Sequence, residues 1–223
     1  MSAGRVLFVG CGPGAADLLT VRAVRALGTA DIVIWNASLL ARADLDALIR
    51  PDAEVIAWPP ATQTDILEAF ARALARDLSV VRLKGGDPTL FGELEPELSA
   101  VRDLGLACEI VPGVSASAAA AAALGMQLGT RGAPLLLVHA SDLAQPHDEP
   151  ALAIYGVGRD PGSIQRALIQ RGMPGAAPCR VAIELSRRAE TVVECRLEDL
   201  AETIEDLGLG MLTLVLAGTP AAA

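Results

Sequence analysis

Short apolar runs alternate with longer amphipathic stretches over the first half of the chain. Runs with the length and the β-branched content of buried strands occupy residues 5–10, 31–35, 54–57, 79–83 and 107–111. Apolar residues recur at helical spacing in the stretches that follow them, at 16–28, 43–49, 64–76, 93–104 and 115–124. Thr64 is the expected N-cap of its helix. Strands that alternate with helices predict right-handed crossovers and a mainly parallel sheet.

The pattern changes near residue 130, where Gly129, Gly132 and Pro134 interrupt it. Beyond this point, strands are predicted at 133–139, 152–157, 181–185, 191–196 and 212–217, and helices at 163–171 and 197–207. The last three strands have shorter connections, including a hairpin, which favours a mixed sheet. The sequence therefore predicts a two-domain α/β protein. Residues 1–130 form a domain with a mainly parallel sheet, and residues 131–223 form a domain with a mixed sheet.

The amino-acid composition is that of a globular protein and argues against nucleic-acid binding. The chain has 223 residues, of which 52% are hydrophobic and 20% charged, as in a soluble globular protein. Aromatic residues make up 3%, so platforms for stacking nucleic-acid bases are not expected. The formal net charge of −9 also argues against nucleic acid as a partner, because such binding needs basic surface.

The chain shows no signals for membrane insertion, secretion or metal binding. Its first residues lack the pattern of a signal peptide, and the apolar stretch at 132–138 is too short to span a bilayer. We therefore expect a cytoplasmic protein with no membrane partner. The four cysteines form no C-x-x-C pair, and His139 and His147 have no partner at ligand spacing, so no metal site is expected.

Three loops rich in glycine each follow a predicted strand and precede a helix. They are Gly10–Gly14, Lys84–Pro88 and Val111–Ala116. Each loop alone is weak evidence for a ligand site, because a tight turn can require glycine where no ligand binds. Ligands of open parallel sheets bind beyond the carboxyl ends of the strands, where all three loops are expected. Together they predict a ligand site. A nucleotide-binding oxidoreductase stays open as an alternative, although Asp31 begins its strand where that fold has an acidic residue at the end.

These segments resemble, in order and spacing, three motifs of the tetrapyrrole (corrin/porphyrin) methylases. The likeness lies in Val9-Gly10-Cys11-Gly12-Pro13-Gly14 with Asp17-Leu18-Leu19-Thr20, in Arg82-Leu83-Lys84-Gly85-Gly86-Asp87-Pro88 with Phe91-Gly92, and in Glu109-Ile110-Val111-Pro112-Gly113-Val114-Ser115-Ala116. The resemblance covers nearly the whole chain. It implies a two-domain α/β fold, a homodimer, and S-adenosyl-L-methionine bound in the cleft between domains, with S-adenosyl-L-homocysteine as product.

The family pattern also implies the site residues. By position, the cofactor would be lined by Pro13, Gly85, Gly86, Asp87, Ser115 and Ala116, and from the second domain by Tyr155, Gly156 and Ala182. Methyl transfer from a sulfonium is an in-line displacement that needs alignment and exclusion of water, without a metal or a covalent nucleophile. No residue is assigned a catalytic role. An anionic tetrapyrrole favours cations at its pocket, so the substrate candidates are Ser38, Arg42, Arg131 and Arg159.

The substrate is less sharply indicated than the cofactor. Trp35–Leu40 resembles a segment of the precorrin-4 C11-methyltransferases, and this is the expected activity. Lys84-Gly85-Gly86-Asp87 is closer to the uroporphyrinogen-III methyltransferases. The connection between His139 and Ala151 is shorter than in the family. That departure leaves open a non-catalytic scaffold relative as a further alternative.

Overall fold

The computed structural model describes residues 4–129, 131, 134–143, 151–158, 160–208 and 213–218. The chain forms two compact units, Met1–Ser115 and Ala116–Ala223, each with its own five-stranded sheet. The Ala-rich helix after Ser115 packs against the second sheet and lies in the second unit. The domain limits of 1–130 and 131–223 remain a prediction.

The first unit is a parallel sheet covered by helices on both faces. Its strands are β1 (Arg5–Gly10), β2 (Ile32–Trp35), β3 (Glu54–Ala57), β4 (Ser79–Lys84) and β5 (Ala107–Val111), and its helices are α1 (Val21–Leu27), α2 (Arg42–Asp46), α3 (Gln63–Arg76) and α4 (Glu95–Asp103). The strand order is β3-β2-β4-β1-β5, and every pair is parallel. The predicted fold class of this part is confirmed.

Successive side chains of each strand point to opposite faces of the sheet, so the first unit has one hydrophobic core on each face. On β1, Leu7 and Val9 face the layer of α1 and α2, whereas Val6 and Phe8 face the layer of α3 and α4. All four are buried. Because both faces are covered, the strands carry continuous apolar runs, as parallel sheets between two helix layers do.

Capping explains two of the helix starts that differ from the sequence prediction. The side chain of Thr62, not of Thr64, caps α3, and Asp65 completes a reciprocal capping box with it. The predicted helix at 16–28 is divided, because Thr20 is extended and caps α1 through the N–H of Ala23. Residues Ala16–Leu18 before it form a short 3₁₀ turn.

The second unit contains the predicted mixed sheet. Its strands are β6 (Leu135–His139), β7 (Ala151–Tyr155), β8 (Pro178–Ile183), β9 (Thr191–Arg196) and β10 (Thr213–Ala217), in the order β6-β7-β10-β8-β9. The β6–β7 pair is parallel and the others are antiparallel, and β8 and β9 form the expected hairpin. Helices α6 (Pro161–Gln170) and α7 (Leu200–Leu207) cover one face, and α5 (Ala116–Ala123) covers the other.

A buried cluster of three charges ties β4 to α4. The Glu97 carboxylate accepts from Arg82 Nε at 3.0 Å and from Lys84 Nζ at 2.7 Å, and all three residues are buried. Burial acts to raise the pKa of Glu97, but Arg82 and Lys84 outweigh it and hold that pKa below its usual value. Burial lowers the pKa of Lys84, although Glu97 opposes the shift. One carboxylate therefore pairs with two cations where β4 leads into the second glycine loop.

Replacing Glu97 by Gln should destabilise the first unit by about 3 kcal/mol, because two buried cations lose their counter-charge. The free energy of unfolding from urea titration measures the change. The matched control is Glu95→Gln on the same helix, whose pair with Arg102 is exposed and which should change stability by less than about 0.5 kcal/mol. Equal stability of the two variants would contradict this assignment.

Candidate functional site

The three glycine loops meet at the carboxyl ends of neighbouring strands. Because β4, β1 and β5 are adjacent in the sheet, their loops emerge side by side. The Cys11 N–H donates to the Lys84 carbonyl at 2.9 Å. Gly12 and Gly86 then exchange two backbone hydrogen bonds, at 2.8 and 3.2 Å. The first and second loops therefore form one backbone-paired layer.

The backbones of the three loops approach too closely for side chains. A Cβ on Gly10 would lie 2.6 Å from the Gly86 carbonyl oxygen, and a Cβ on Gly113 would lie 2.1 Å from the same atom. Gly12 and Gly86 also have positive φ angles, 71° and 60°. Glycine is thus required at these positions by contact between loops as well as by turn geometry.

Asp87 fastens the second loop to the third. One carboxylate oxygen accepts from the Thr89 N–H at 2.8 Å and from its hydroxyl at 2.5 Å, and the other accepts from the Gly113 N–H at 3.1 Å. Partial burial acts to raise the pKa of Asp87, but these donors prevail and lower it. Both oxygens of the carboxylate therefore have structural partners within the loops.

The turn after β2 brings a further side chain to the second loop. Asn36 Oδ1 accepts from both the N–H and the hydroxyl of Ser38, at 2.8 and 2.7 Å. This Asx-type turn directs Leu39 towards Gly85, where a Cβ would lie 2.8 Å from Leu39 Cδ2. Because Gly85 has no side chain, the Leu39 side chain can occupy this space.

The predicted substrate-contacting residues come from different segments, and each is described by its own surroundings. Ser38 is partly buried within its turn. Arg42 is exposed, pairs with Asp46 at 2.8 Å, and lies 5.8 Å from the centre of the Trp35 ring. Arg131 lies in an exposed turn of the second unit. Arg159 lies outside the described residues.

In the second unit, Tyr155 joins the end of β7 to α5. Its hydroxyl donates to Ser117 Oγ at 2.8 Å and accepts from the Ser117 N–H at 3.2 Å. Ala182 on β8 is buried in the core beneath α5. Pro13 is buried next to Gly12, whereas Ser115 and Ala116 are partly buried and are the last residue of the first unit and the first of the second.

Gly156 packs directly against an imidazole ring. It has φ 64°, and a Cβ there would lie 2.0 Å from His139 Nε2. His139 Nδ1 lies 2.8 Å from the Ser141 hydroxyl oxygen and accepts from the Ser141 N–H at 3.3 Å. The structure therefore gives His139 a role in shaping the end of β6 and the backbone at Gly156.

Three features of these loops were missed from the sequence. The roles of Thr89 and Ser117 and the contact of Leu39 with Gly85 all depend on partners in other segments or on local side-chain geometry. Thr89 carried a usable signal, since Asp followed two residues later by Thr is typical of an Asx turn. Ser117, a polar residue within an alanine run, was a weaker indication of a buried hydrogen bond.

Two negative findings apply to the described residues. Within those ranges, no group of three or more His, Cys, Asp or Glu side chains is placed to hold a metal ion. In the same part of the chain, no helix has the length and apolar character that crossing a membrane requires.

Comparison with known proteins identifies the family. The family model of tetrapyrrole (corrin/porphyrin) methylases matches residues 5–201. A uroporphyrinogen-III C-methyltransferase of Paracoccus denitrificans is 33% identical over 98% of this chain and 82% of its own length. A siroheme synthase of Methylococcus capsulatus is 32% identical over 96% of this chain, which spans 49% of that longer protein.

Solved structures agree with this match. A cobalt precorrin-4 methyltransferase of cobalamin biosynthesis has a TM-score of 0.86 at 26% identity, with 96% of this chain and 94% of that chain covered. A uroporphyrin-III C-methyltransferase from Thermus thermophilus in complex with S-adenosylhomocysteine has a TM-score of 0.79 at 30% identity, with 96% and 97% covered. The chain belongs to the tetrapyrrole methylase family. Its methyl donor is S-adenosylmethionine, and the predicted fold and cofactor are confirmed.

Replacing Gly113 by Ala should disrupt the glycine loops, because the new Cβ would meet backbone atoms of Gly86 and Gly10 that cannot move independently. We expect a loss of about 2 kcal/mol in the free energy of unfolding and at least a tenfold weaker affinity for S-adenosylhomocysteine. Urea titration and calorimetry measure the two effects. Gly28→Ala is the control, since Gly28 has φ −66° and a Cβ there would lie 3.5 Å from the nearest atom, the Val24 carbonyl oxygen. Wild-type behaviour of Gly113→Ala would rule out this loop contact.

The Tyr155–Ser117 pair can be tested by a double-mutant cycle. Tyr155→Phe and Ser117→Ala should each cost about 1 kcal/mol of stability, because each removes the same hydroxyl–hydroxyl bond. The double variant should therefore cost less than the two single changes added together. Chemical denaturation of all four proteins provides the comparison, and strict additivity would show that the two groups do not interact.

Proposed function

We propose that this protein transfers a methyl group from S-adenosylmethionine to a ring carbon of a precorrin, with precorrin-4 methylated at C11. The observation that carries the choice of substrate is the turn at Asn36–Leu40. It resembles the corresponding segment of precorrin-4 enzymes, and its Leu39 lies against Gly85 of the second loop. The TM-score of 0.86 to a cobalt precorrin-4 methyltransferase supports the same choice.

The glycine loops suit a bulky cofactor that approaches the backbone. Gly85 and Gly86 are partly exposed and carry no side chain, and Asp87 and the Gly12–Gly86 pairing hold them in place. We propose that Pro13, Gly85, Gly86, Asp87, Ser115 and Ala116, with Tyr155, Gly156 and Ala182, line the cofactor site. When bound, S-adenosylmethionine supplies an electrophilic methyl group on sulfur.

The role proposed for the protein is alignment. A rigid loop layer keeps the donor in one orientation. The entropy cost of bringing donor and acceptor together is then met on binding and does not add to the barrier of the chemical step. Ser38, Arg42, Arg131 and Arg159 are the proposed contacts of the anionic substrate. Arg42 can serve because its present partner Asp46 is exposed, and an exposed ion pair exchanges readily for a substrate carboxylate.

A second candidate is methylation of uroporphyrinogen III. It is favoured by the 33% identity to the Paracoccus denitrificans enzyme and by the segment Lys84–Asp87, which is closer to that subgroup. In this structure, however, Arg82 and Lys84 are buried and bound to Glu97, so their side chains stabilise the packing of β4 against α4.

We further propose a cytoplasmic homodimer, as the family resemblance implies.

Calorimetric titration tests the cofactor before the substrate. We expect micromolar binding of S-adenosylhomocysteine by the folded protein and none of NAD, which serves as the control. Methyl transfer from radiolabelled S-adenosylmethionine is then measured with precorrin-4 and with uroporphyrinogen III. Faster labelling of precorrin-4 supports the proposal, and faster labelling of uroporphyrinogen III replaces it with the second candidate. Binding of S-adenosylhomocysteine without transfer to either substrate would favour a non-catalytic scaffold.

A further inference from the structure

The segment after Asp87 forms a tight turn. The Leu90 N–H donates to the Asp87 carbonyl at 3.1 Å, and a Cβ on Gly92 would lie 2.5 Å from the Pro88 carbonyl oxygen. Within this coil, Phe91 has a φ of 55°. Left-handed backbone is unfavourable for a bulky aromatic residue, and such strain is concentrated at functional sites.

The strain at Phe91 places an aromatic ring on the surface. Phe91 is 43% exposed, whereas the chain's other two phenylalanines, Phe8 and Phe70, are fully buried and pack edge to face with ring centres 6.2 Å apart. An exposed Phe in a strained conformation gains less from burial than either of these. Its position is therefore poorly explained by the stability of the core.

The coil that carries Phe91 is held to the glycine loops through Asp87. Asp87 binds Thr89 on one side of the coil and Gly113 of the third loop on the other, so the coil has little freedom relative to the carboxyl ends of the strands. Pro88 at its start is buried. Phe91 is thus presented in a fixed place at the edge of the sheet where ligands of parallel sheets bind.

We propose that the exposed face of Phe91 is a substrate-contacting surface that receives the macrocycle of the tetrapyrrole. This inference rests on the proposed function. A tetrapyrrole has a broad, largely apolar ring body with carboxylates at its rim, and Phe offers an apolar, π-rich face with no polar atom. Phe91 therefore selects for the macrocycle, while the rim carboxylates require cations elsewhere. The adenine of the cofactor is the other flat group available, and the experiment distinguishes the two.

The test compares the wild type with Phe91→Ala, Phe91→Gly and Phe91→Tyr. Uroporphyrin III, a stable tetrapyrrole, is titrated against each protein with saturating S-adenosylhomocysteine, and binding is followed by fluorescence. We expect the porphyrin Kd to rise about tenfold in the Ala and Gly variants and to stay near wild type in the Tyr variant, which keeps the ring. The Kd for S-adenosylhomocysteine, measured separately by calorimetry, should be unchanged in all three.

Thermal melting separates the ring from the backbone strain. Phe91→Gly should melt about 2 °C or more above Phe91→Ala, because Gly adopts positive φ without penalty. Asp77→Gly is the matched control: Asp77 has the same φ of 55° but lies at the end of α3, so its replacement should leave porphyrin binding unchanged.

Three further outcomes would overturn the proposed role of Phe91. Unchanged porphyrin affinity in both Phe91→Ala and Phe91→Gly overturns the role of Phe91 while leaving the proposed function standing. Weaker S-adenosylhomocysteine binding in these variants overturns it in favour of a contact with the cofactor. A wild-type protein that binds S-adenosylhomocysteine but not uroporphyrin III overturns the proposed tetrapyrrole site and this inference together.

Discussion

The first unit is organised around a contact between backbones. At the carboxyl ends of β1, β4 and β5, Gly10, Gly86 and Gly113 meet so closely that the Gly86 carbonyl occupies the space of two would-be side chains. This contact is possible only because the strand order places these three strands side by side. The neighbouring polar interactions follow from it: the paired loops set Asp87 within reach of the Gly113 N–H. A small local requirement, the absence of Cβ atoms, thereby fixes the geometry of three separate segments.

The sequence was sufficient for most of the fold, because hydrophobic periodicity reports burial directly. The strands at 5–10, 54–57, 107–111 and 191–196 coincide with those in the structure. Errors occur at helix starts. Thr62 and Thr64 both offer a hydroxyl, and the choice depends on whether Asp65 can return a bond to the cap, which the apolar pattern does not record. The packing of the Ala-rich helix against the second sheet could not be predicted, since an alanine run has little amphipathic character to indicate what it packs against.

The arrangement of the glycine loops was predicted in part. Spacing was enough to place three glycine loops at one edge, because parallel strands bring their carboxyl ends together. The pairings between loops were beyond sequence reasoning. Tyr155 binds Ser117, which is 38 positions away, and Leu39 contacts Gly85 through a turn whose direction depends on a single amide oxygen of Asn36. Asp87 illustrates the limit best, since one carboxylate can cap a turn or bind a ligand, and only its neighbours show that both oxygens already accept from the protein.

The charge cluster under the second loop has a consequence for the chain's chemical reactivity. Lys84 is the sole lysine in the sequence, it is 8% exposed, and its ammonium group is bound to Glu97 at 2.7 Å. The folded chain therefore presents almost no accessible ε-amine. Acylating reagents and amine-directed cross-linkers would find little to modify along its surface until the first unit opens. Acylation of Lys84 would then report local unfolding around β4 and α4, with a built-in probe that needs no engineered residue.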